Sequence, residues 1–263
     1  MSPGPPDTAA LLAALPVDIA ILASVFARVG ALMMVAPAFG DLTIPPRVRL
    51  AIALGLTLAI APVAAPAYPS AASFDNAFML ASLIGGEVAI GLFLGLFARA
   101  IAAALNVAGE VIALQMGLSL AQVFDPTQDA QGAIVGGFLA ILGATLIFAT
   151  DAHHLLLAAL RDSYALLAPG AGFSPGDAAT AMIGAVSTAF SLGVRLAAPF
   201  IVFGLVFYAG AGVLNRLMPQ AQVFFMLMPA NLVIGLTLLM LTTGLIMTAF
   251  LARFDAELSQ FLR

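Results

Sequence analysis

The chain has 263 residues, of which 63% are hydrophobic and 8% charged, and its net charge is −4. A soluble domain is about one quarter charged, so this chain has too few polar residues to cover a surface in water. The absence of cysteine excludes disulfides and Cys-based metal sites, and the negative charge offers no basic surface for nucleic acid. These features predict an all-α integral membrane protein rather than a soluble enzyme.

About six apolar stretches follow one another along the chain, and each has at least the roughly 20 residues that a helix needs to cross a bilayer core. Pro37, Pro199 and Pro229 lie within or at the ends of such stretches, which predicts bent or broken helices. Since no long linker or internal repeat divides the sequence, we expect one membrane-embedded domain over 1–263. The stretches cover residues 17–39, 48–67, 77–98, 131–150, 180–211 and 223–252.

Four ionisable residues interrupt apolar sequence and are the first candidates for a functional role. A charge at the centre of a lone spanning helix costs about 2.5–3.5 kcal/mol, so such residues usually face a bundle interior, a water path or a partner. One interpretation therefore places these charges at subunit interfaces or along a conduction path. The other places them away from the middle of the membrane, with Arg99 reaching the surface from a helix end. The four residues are Arg28, Glu87, Arg99 and Glu110.

The only two histidines, His153 and His154, stand close to Asp151 in the sequence and have the chemistry of metal ligands. Adjacent residues on a helix point about 100° apart, so this spacing does not suit a helical metal site. A solvated helix start is the simpler interpretation. The sequence also contains no P-loop, HExxH, GxSxG or dinucleotide-binding pattern. We therefore expect no bound metal, no cofactor and no catalysis.

Residues 109–132, GEVIALQMGLSLAQVFDPTQDAQG, are too polar to span a membrane well and too apolar for a solvated loop. Gly117 permits a bend or a close backbone approach, and Asp125-Pro126 is a turn signal. A semi-apolar segment of this kind can line or block a cavity that is walled by protein. It can equally be an amphipathic connector packed against the helix bundle, and these residues alone leave both alternatives open.

Three passages resemble the FliR family of the flagellar type III export apparatus, which has a counterpart in the injectisome. The first, 28–63, contains an Arg, an AP-x-FG turn and a loop with Pro45 and Arg49. The second, GEVIALQMGLSLAQVFDP at 109–126, is the most specific, because it is very similar to the family's Gly-Glu, Gln-x-Gly-Leu-Ser and Asp-Pro signature. The third, 220–239, is similar to a family stretch around a Pro near the last long helix. The resemblance covers nearly the whole chain.

The resemblance implies a non-enzymatic subunit that assembles with FliP-like and FliQ-like membrane proteins into the entry portal for unfolded flagellar proteins. It implies bent helical hairpins, a FliP-like part fused to a FliQ-like part, and contacts with other export apparatus proteins. It also implies a place in the bacterial inner membrane, at the flagellar basal body. The subunit-interface charges would be the four residues named above.

The family has a loop that helps to seal the pore, and the resemblance maps this plug onto 114–124, which we call the plug segment. Its sealing or gating residues would be Leu114, Gln115, Met116, Gly117, Leu118, Ser119 and Phe124, followed by the turn at Asp125 and Pro126.

Three alternatives remain open at the level of the sequence. Within the family, the injectisome counterpart exports effectors instead of flagellar proteins. A secondary transporter or ion channel would carry a small molecule without partners and would show internal repeats. A membrane-embedded enzyme would need convergent titratable groups, which are sparse in this sequence.

Overall fold

A computed structural model describes residues 17–40, 44–68, 77–118, 130–171, 174–218 and 223–262 of the chain. These residues form nine α-helices and one short 3-10 helix, Ala65–Ala67, without a strand, so the predicted all-α fold is confirmed. The helices are α1 (Val17–Val35), α2 (Pro46–Ala64), α3 (Ala77–Ala102), α4 (Ala104–Gln115), α5 (Ala130–Ala149), α6 (His153–Leu166), α7 (Pro175–Leu196), α8 (Ala198–Leu217) and α9 (Val223–Ser259).

Six helical segments of the described chain are long and apolar enough to cross a bilayer, which confirms a polytopic membrane protein. The number agrees with the prediction, but the segments differ. The prediction of a single span over 180–211 was wrong, because the chain turns at Ala197 and a new helix begins there. Pro199 contributes to this break, since it has no amide hydrogen to continue the helical bonding. The predicted stretch 131–150 is formed by α5, a helix of 20 residues.

The described residues form two compact units that interleave along the chain. Each unit combines separate parts of the sequence, and the expected single membrane-embedded domain stays a prediction. Unit 1 draws on Met1–Arg99, Asp151–Ile183 and Glu257–Arg263, and unit 2 draws on Ala100–Thr150 and Gly184–Ala256.

In unit 1, α1 packs against both α2 and α3. Gly95 of α3 lies against Leu32 and Val35 of α1, where an added Cβ would lie 2.5 Å from Val35 Cγ2. Beyond α1, the predicted AP-x-FG turn is present: Ala38 has a φ of 68°, and the Gly40 amide donates to the Ala36 carbonyl over 2.7 Å. Small residues therefore permit both the close helix contact and the sharp end of α1.

In unit 2, α4 packs along α5 with its backbone almost in contact with that of α5. A Cβ at Gly109 would overlap the backbone of Gly136, and a Cβ at Gly143 would overlap the side chain of Leu105. Small residues permit this approach, as they do between helices in membranes. The closest approach of α4 and α5 is therefore at Gly109 and Gly136.

Candidate functional site

A buried ion pair joins α1 to α3 in unit 1. Arg28 Nε donates to Glu87 Oε2 over 2.6 Å, and Arg28 Nη2 donates to Glu87 Oε1 over 3.0 Å. The two side chains are 0% and 1% exposed. Two parallel bonds between a guanidinium and a carboxylate form a strong and directional contact. Each of the two buried charges therefore finds its counter-charge within the chain.

The other donors of Arg28 are directed at α6. Nη1 donates to Ser163 Oγ over 2.9 Å, and Nη2 also donates to the Leu167 carbonyl over 3.0 Å. Leu167 directly follows α6, and the end of a helix leaves carbonyls without helical donors. The guanidinium carbon lies 4.0 Å from the centre of the Tyr164 ring, a cation–π contact. Arg28 therefore clamps α1, α3 and α6 together.

Gly91 explains how α1 and α3 come close enough for this ion pair. Glu87 and Gly91 are four residues apart, so they lie on the same face of α3. A side chain at position 91 would overlap the backbone carbonyl of Arg28 and the Cβ of Ala31. Because glycine leaves that room free, α1 packs directly on α3, and Glu87 reaches Arg28 one turn away.

Arg99 and Glu110 do not belong to this cluster, and both are exposed. Arg99 lies in the last turn of α3, where a cation interacts favourably with the helix dipole. The structure thus brings together two of the four predicted charges, Arg28 and Glu87. A role at subunit interfaces stays a prediction for all four, although Arg28 and Glu87 have their partners without one.

The helix that leads into the plug segment ends in a Schellman motif. α4 ends at Gln115, and Gly117 has a φ of 77°, in the left-handed region. The Gly117 amide donates to the Leu114 carbonyl over 3.1 Å, and the Leu118 amide donates to the Ala113 carbonyl over 3.0 Å. This pair of bonds satisfies two terminal carbonyls and favours glycine at the left-handed position. The bend that the sequence indicated at Gly117 is therefore present.

Two side chains from other helices of unit 2 bind the carbonyl of Gln115. Asn231 of α9 donates from Nδ2 to this oxygen over 3.3 Å. Tyr208 of α8 places its hydroxyl 3.5 Å from the same oxygen and 3.3 Å from Asn231 Nδ2. We call the Asn231 amide and the Tyr208 hydroxyl on the Gln115 carbonyl the Gln115 cap.

Two glycines receive the side chains at this end of α4. A Cβ at Gly204 of α8 would overlap the side chain of Gln115, and a Cβ at Gly235 of α9 would lie 2.6 Å from Met116 Cγ. Met116 is 1% exposed, whereas Leu114 is 57% exposed. The start of the plug segment therefore has one side packed on α8 and α9 and one apolar side open.

The remaining plug and turn residues, Ser119, Phe124, Asp125 and Pro126, lie outside the described residues. The assignment of the plug segment as a whole therefore stays a prediction.

His153 and His154 lie closer together than regular helix geometry predicted. Their ring centroids are 4.2 Å apart, and the ligand atoms of these residues and Asp151 all lie within 4.8 Å of one another. Asp151 has a φ of 60° and α6 begins only at His153, so the three residues do not share regular helical positions. The predicted solvated helix start is present, because α6 begins at His153 beside the exposed Asp151. Only the distance between the ligand atoms is smaller than the spacing argument predicted. The Asp151 and His154 side chains are exposed, and the expectation of no bound metal stays a prediction.

Several residues of these two sites were not predicted from the sequence, among them Ser163, Tyr164, Tyr208 and Asn231. Ser163 and Tyr164 lie in a helix of ordinary amphipathic composition, and nothing in its sequence indicates that these two residues contact Arg28. Asn231 had a usable signal, because it is the one amide side chain within the long apolar segment Met226–Ser259.

Comparison with known proteins identifies the family of this chain. The family of bacterial export proteins, family 1, matches residues 19–256 of the chain. The flagellar biosynthetic protein FliR of Caulobacter vibrioides is 39% identical over 248 residues, which cover 92% of this chain and 95% of that protein. The FliR proteins of Pectobacterium carotovorum and Escherichia coli are 34% and 32% identical, covering 84% and 81% of this chain and 82% and 80% of those proteins. The chain therefore belongs to the FliR family of bacterial export proteins.

Proposed function

We propose that this chain is a non-enzymatic subunit of the flagellar type III protein export gate. It assembles with FliP-like and FliQ-like subunits in the bacterial inner membrane, at the flagellar basal body. There it helps to form and seal the entry portal for unfolded flagellar proteins. The observation that carries the proposal is the similarity to a flagellar FliR protein over 92% of the chain. The relatives named above are flagellar, which favours the flagellar system over the injectisome.

The exposed apolar surface of unit 2 supports a place within a larger membrane assembly. Only 11% of the residues in α8 are buried within the chain, and the side chains of Leu205 and Leu217 are each 73% exposed. Water covers such a surface at a high free-energy cost, so lipid or neighbouring membrane helices must cover it. Gly210 and Gly212 of the same helix have open space around them, which fits a close approach by a helix of another subunit.

The start of the plug segment supports the sealing part of the proposal. Its described residues, 114–118, combine apolar side chains that exclude water with a backbone turn in which the Leu114 and Gln115 carbonyls are bonded. Bonded carbonyls matter in a dry seal, because an unpaired polar group away from water costs about 1–3 kcal/mol by mutational data. The chain has no cysteine for a covalent lock, so non-covalent contacts hold this segment.

The geometry of the buried charges supports a structural role rather than a catalytic one. A catalytic group must be directed at a space that a substrate can occupy. Arg28 and Glu87 are instead directed at each other, and the remaining Arg28 donors at Ser163 and Leu167.

Assembly is tested by purifying the chain alone and together with FliP-like and FliQ-like subunits. We expect the chain alone to be polydisperse in detergent and the co-expressed complex to run as one species in size-exclusion chromatography. A monodisperse monomer that never binds these subunits would contradict the proposal.

Sealing is tested by deleting Gln115 to Ser119. We expect the complex to assemble while the cells become permeable to ions, because part of the seal is missing. The same deletion expressed without the partner subunits is the control, since it forms no portal. Normal assembly combined with wild-type permeability would show that the segment is a packed connector.

A further inference from the structure

We propose that the Gln115 cap holds residues 114–118, the described start of the plug segment, against α8 and α9, and that breaking this cap is the step that frees these residues to move. The inference rests on the proposed function, because the plug segment is part of it. It adds two positioning residues, Asn231 and Tyr208, that lie far from the plug segment in the sequence and on two different helices.

The carbonyls at the end of α4 need hydrogen-bond donors from outside the regular helix. A helix leaves its last four carbonyls without helical donors, here those of residues 112–115. The first three accept the backbone amides of Met116, Leu118 and Gly117 in turn. The fourth, that of Gln115, has no backbone donor among the described residues and is bound by Asn231 and Tyr208. The cap is thus the one polar attachment of this helix end to α8 and α9 that the described residues show.

The cap has the properties of a releasable attachment. Its bonds to the Gln115 carbonyl are 3.3 and 3.5 Å long and join neutral groups, at the weak end of the hydrogen-bond range. Asn231 is 3% exposed, and its Oδ1 has no partner among the described residues, so the site is only partly satisfied. The Arg28 clamp of unit 1 shows the contrasting chemistry of a permanent attachment, with charged groups and bonds down to 2.6 Å.

The packing around the cap is also of a kind that can be released. Gln115 fits against Gly204 and Met116 fits against Gly235 by shape, without a bond from either side chain to α8 or α9 among the described contacts. Contacts of this kind can separate and form again without breaking a covalent bond or separating an ion pair. Tyr208 and Asn231 therefore decide how firmly this helix end is held.

The first test weakens the cap in the complex with FliP-like and FliQ-like subunits. Tyr208→Phe removes one oxygen atom, so it preserves the packing of a residue that is already 37% exposed. Asn231→Leu removes the buried amide. Because one neutral hydrogen bond is lost or weakened, we expect an increase of about twofold to tenfold in ion permeability and in amide hydrogen exchange at 112–118.

The matched control for this test is Thr237→Val. The Thr237 hydroxyl donates to the Val233 carbonyl within α9 itself, so its loss leaves the cap intact. Wild-type permeability and exchange in an assembled Tyr208→Phe complex would overturn the proposal, whether or not Asn231→Leu folds.

The second test locks the helix end to α8. A Cβ at Gly204 would lie 3.3 Å from the Cβ of Gln115, near the spacing of about 3.8 Å that a disulfide prefers. Since the chain has no cysteine, the pair Gln115→Cys with Gly204→Cys introduces a single bridge. We expect oxidation to stop export of flagellar proteins by the assembled complex, and a reductant to restore it. Each single-cysteine variant should export equally with and without oxidant, because neither can form the bridge.

The outcomes separate the inference from the proposed function. Continued export with the bridge formed, or a bridge that cannot form at this contact, overturns the inference. If deletion of Gln115 to Ser119 makes cells leak while the cap variants behave as wild type, the sealing function stands and the cap is not what holds the plug segment. If the deletion causes no leak, the sealing function itself fails and the inference fails with it.

Discussion

Arg28 and Glu87 stand 59 residues apart in the sequence and meet through two hydrogen bonds of 2.6 and 3.0 Å in the interior of unit 1. Through Arg28, the pair also reaches Ser163 and the carbonyl that ends α6. A buried charge with four hydrogen bonds leaves several groups unsatisfied when it is removed.

Replacing Arg28 by alanine should destabilise the protein strongly. The change leaves Glu87 as a buried charge without a counter-charge, and breaking a buried pair in this way typically costs about 3–5 kcal/mol. Arg28→Lys should rescue only in part, because an ammonium cannot form the two parallel bonds of the guanidinium. Complex yield, thermal unfolding and motility are the measurements. Arg99→Ala, at an exposed arginine, is the control for thermal unfolding, and full yield and motility in Arg28→Ala would show that the clamp is dispensable.

Removing both charges together should be less harmful than removing either one. In the double variant Arg28→Met with Glu87→Leu, no buried charge is left unpaired, and apolar residues of similar volume replace the pair. We expect its free energy of unfolding to exceed that of each single variant, although Ser163 and Leu167 still lose their donors. A double-mutant cycle measures this coupling. Simple addition of the two single losses would contradict a direct interaction.

Gly91 and Gly85 should respond in opposite ways to the same small change. A Cβ at position 91 overlaps the backbone of α1, which cannot move aside easily, so Gly91→Ala should cost about 1–3 kcal/mol through overpacking. Gly85 lies in the same helix with open space around it, so Gly85→Ala should be neutral or stabilise by up to about 1 kcal/mol. Thermal stability of the purified complex distinguishes them, and equal effects would contradict the close contact at Gly91.

The effect of a substitution at Gly117 should depend on how well the new residue adopts the left-handed conformation and on whether it carries a charge. Its φ is 77°, which costs about 1–2 kcal/mol for an ordinary side chain but less for asparagine. We therefore expect Gly117→Asn to preserve the seal best and Gly117→Ala to weaken it. Gly117→Asp should weaken it most, because it adds a charge at a buried position. Ion permeability of cells with the assembled complex gives the order, and Asn is the matched control for the charge of Asp.

Several features of this protein followed from the sequence by itself. The bilayer accepts only structures that bond their own backbone, and helices need about 20 apolar residues to cross it, so composition and segment length were enough to predict an all-α membrane protein. Gly117 also followed from local chemistry, because a left-handed position after a helix favours glycine whatever surrounds it. The similarity of 109–126 to a family signature pointed to the FliR family in the same local way.

The tertiary structure alone decided which residues meet. Helical periodicity says which residues share a face of one helix, but it contains no information about which other helix covers that face. Arg28 was therefore recognisable as a buried charge, while its partners at distances of 59 to 139 residues along the chain were not. The same holds for Asn231, which meets Gln115 across 116 residues. Pro199 in an apolar stretch likewise permits either a kink or a new helix, and only the structure shows that a new helix, α8, begins after Ala197.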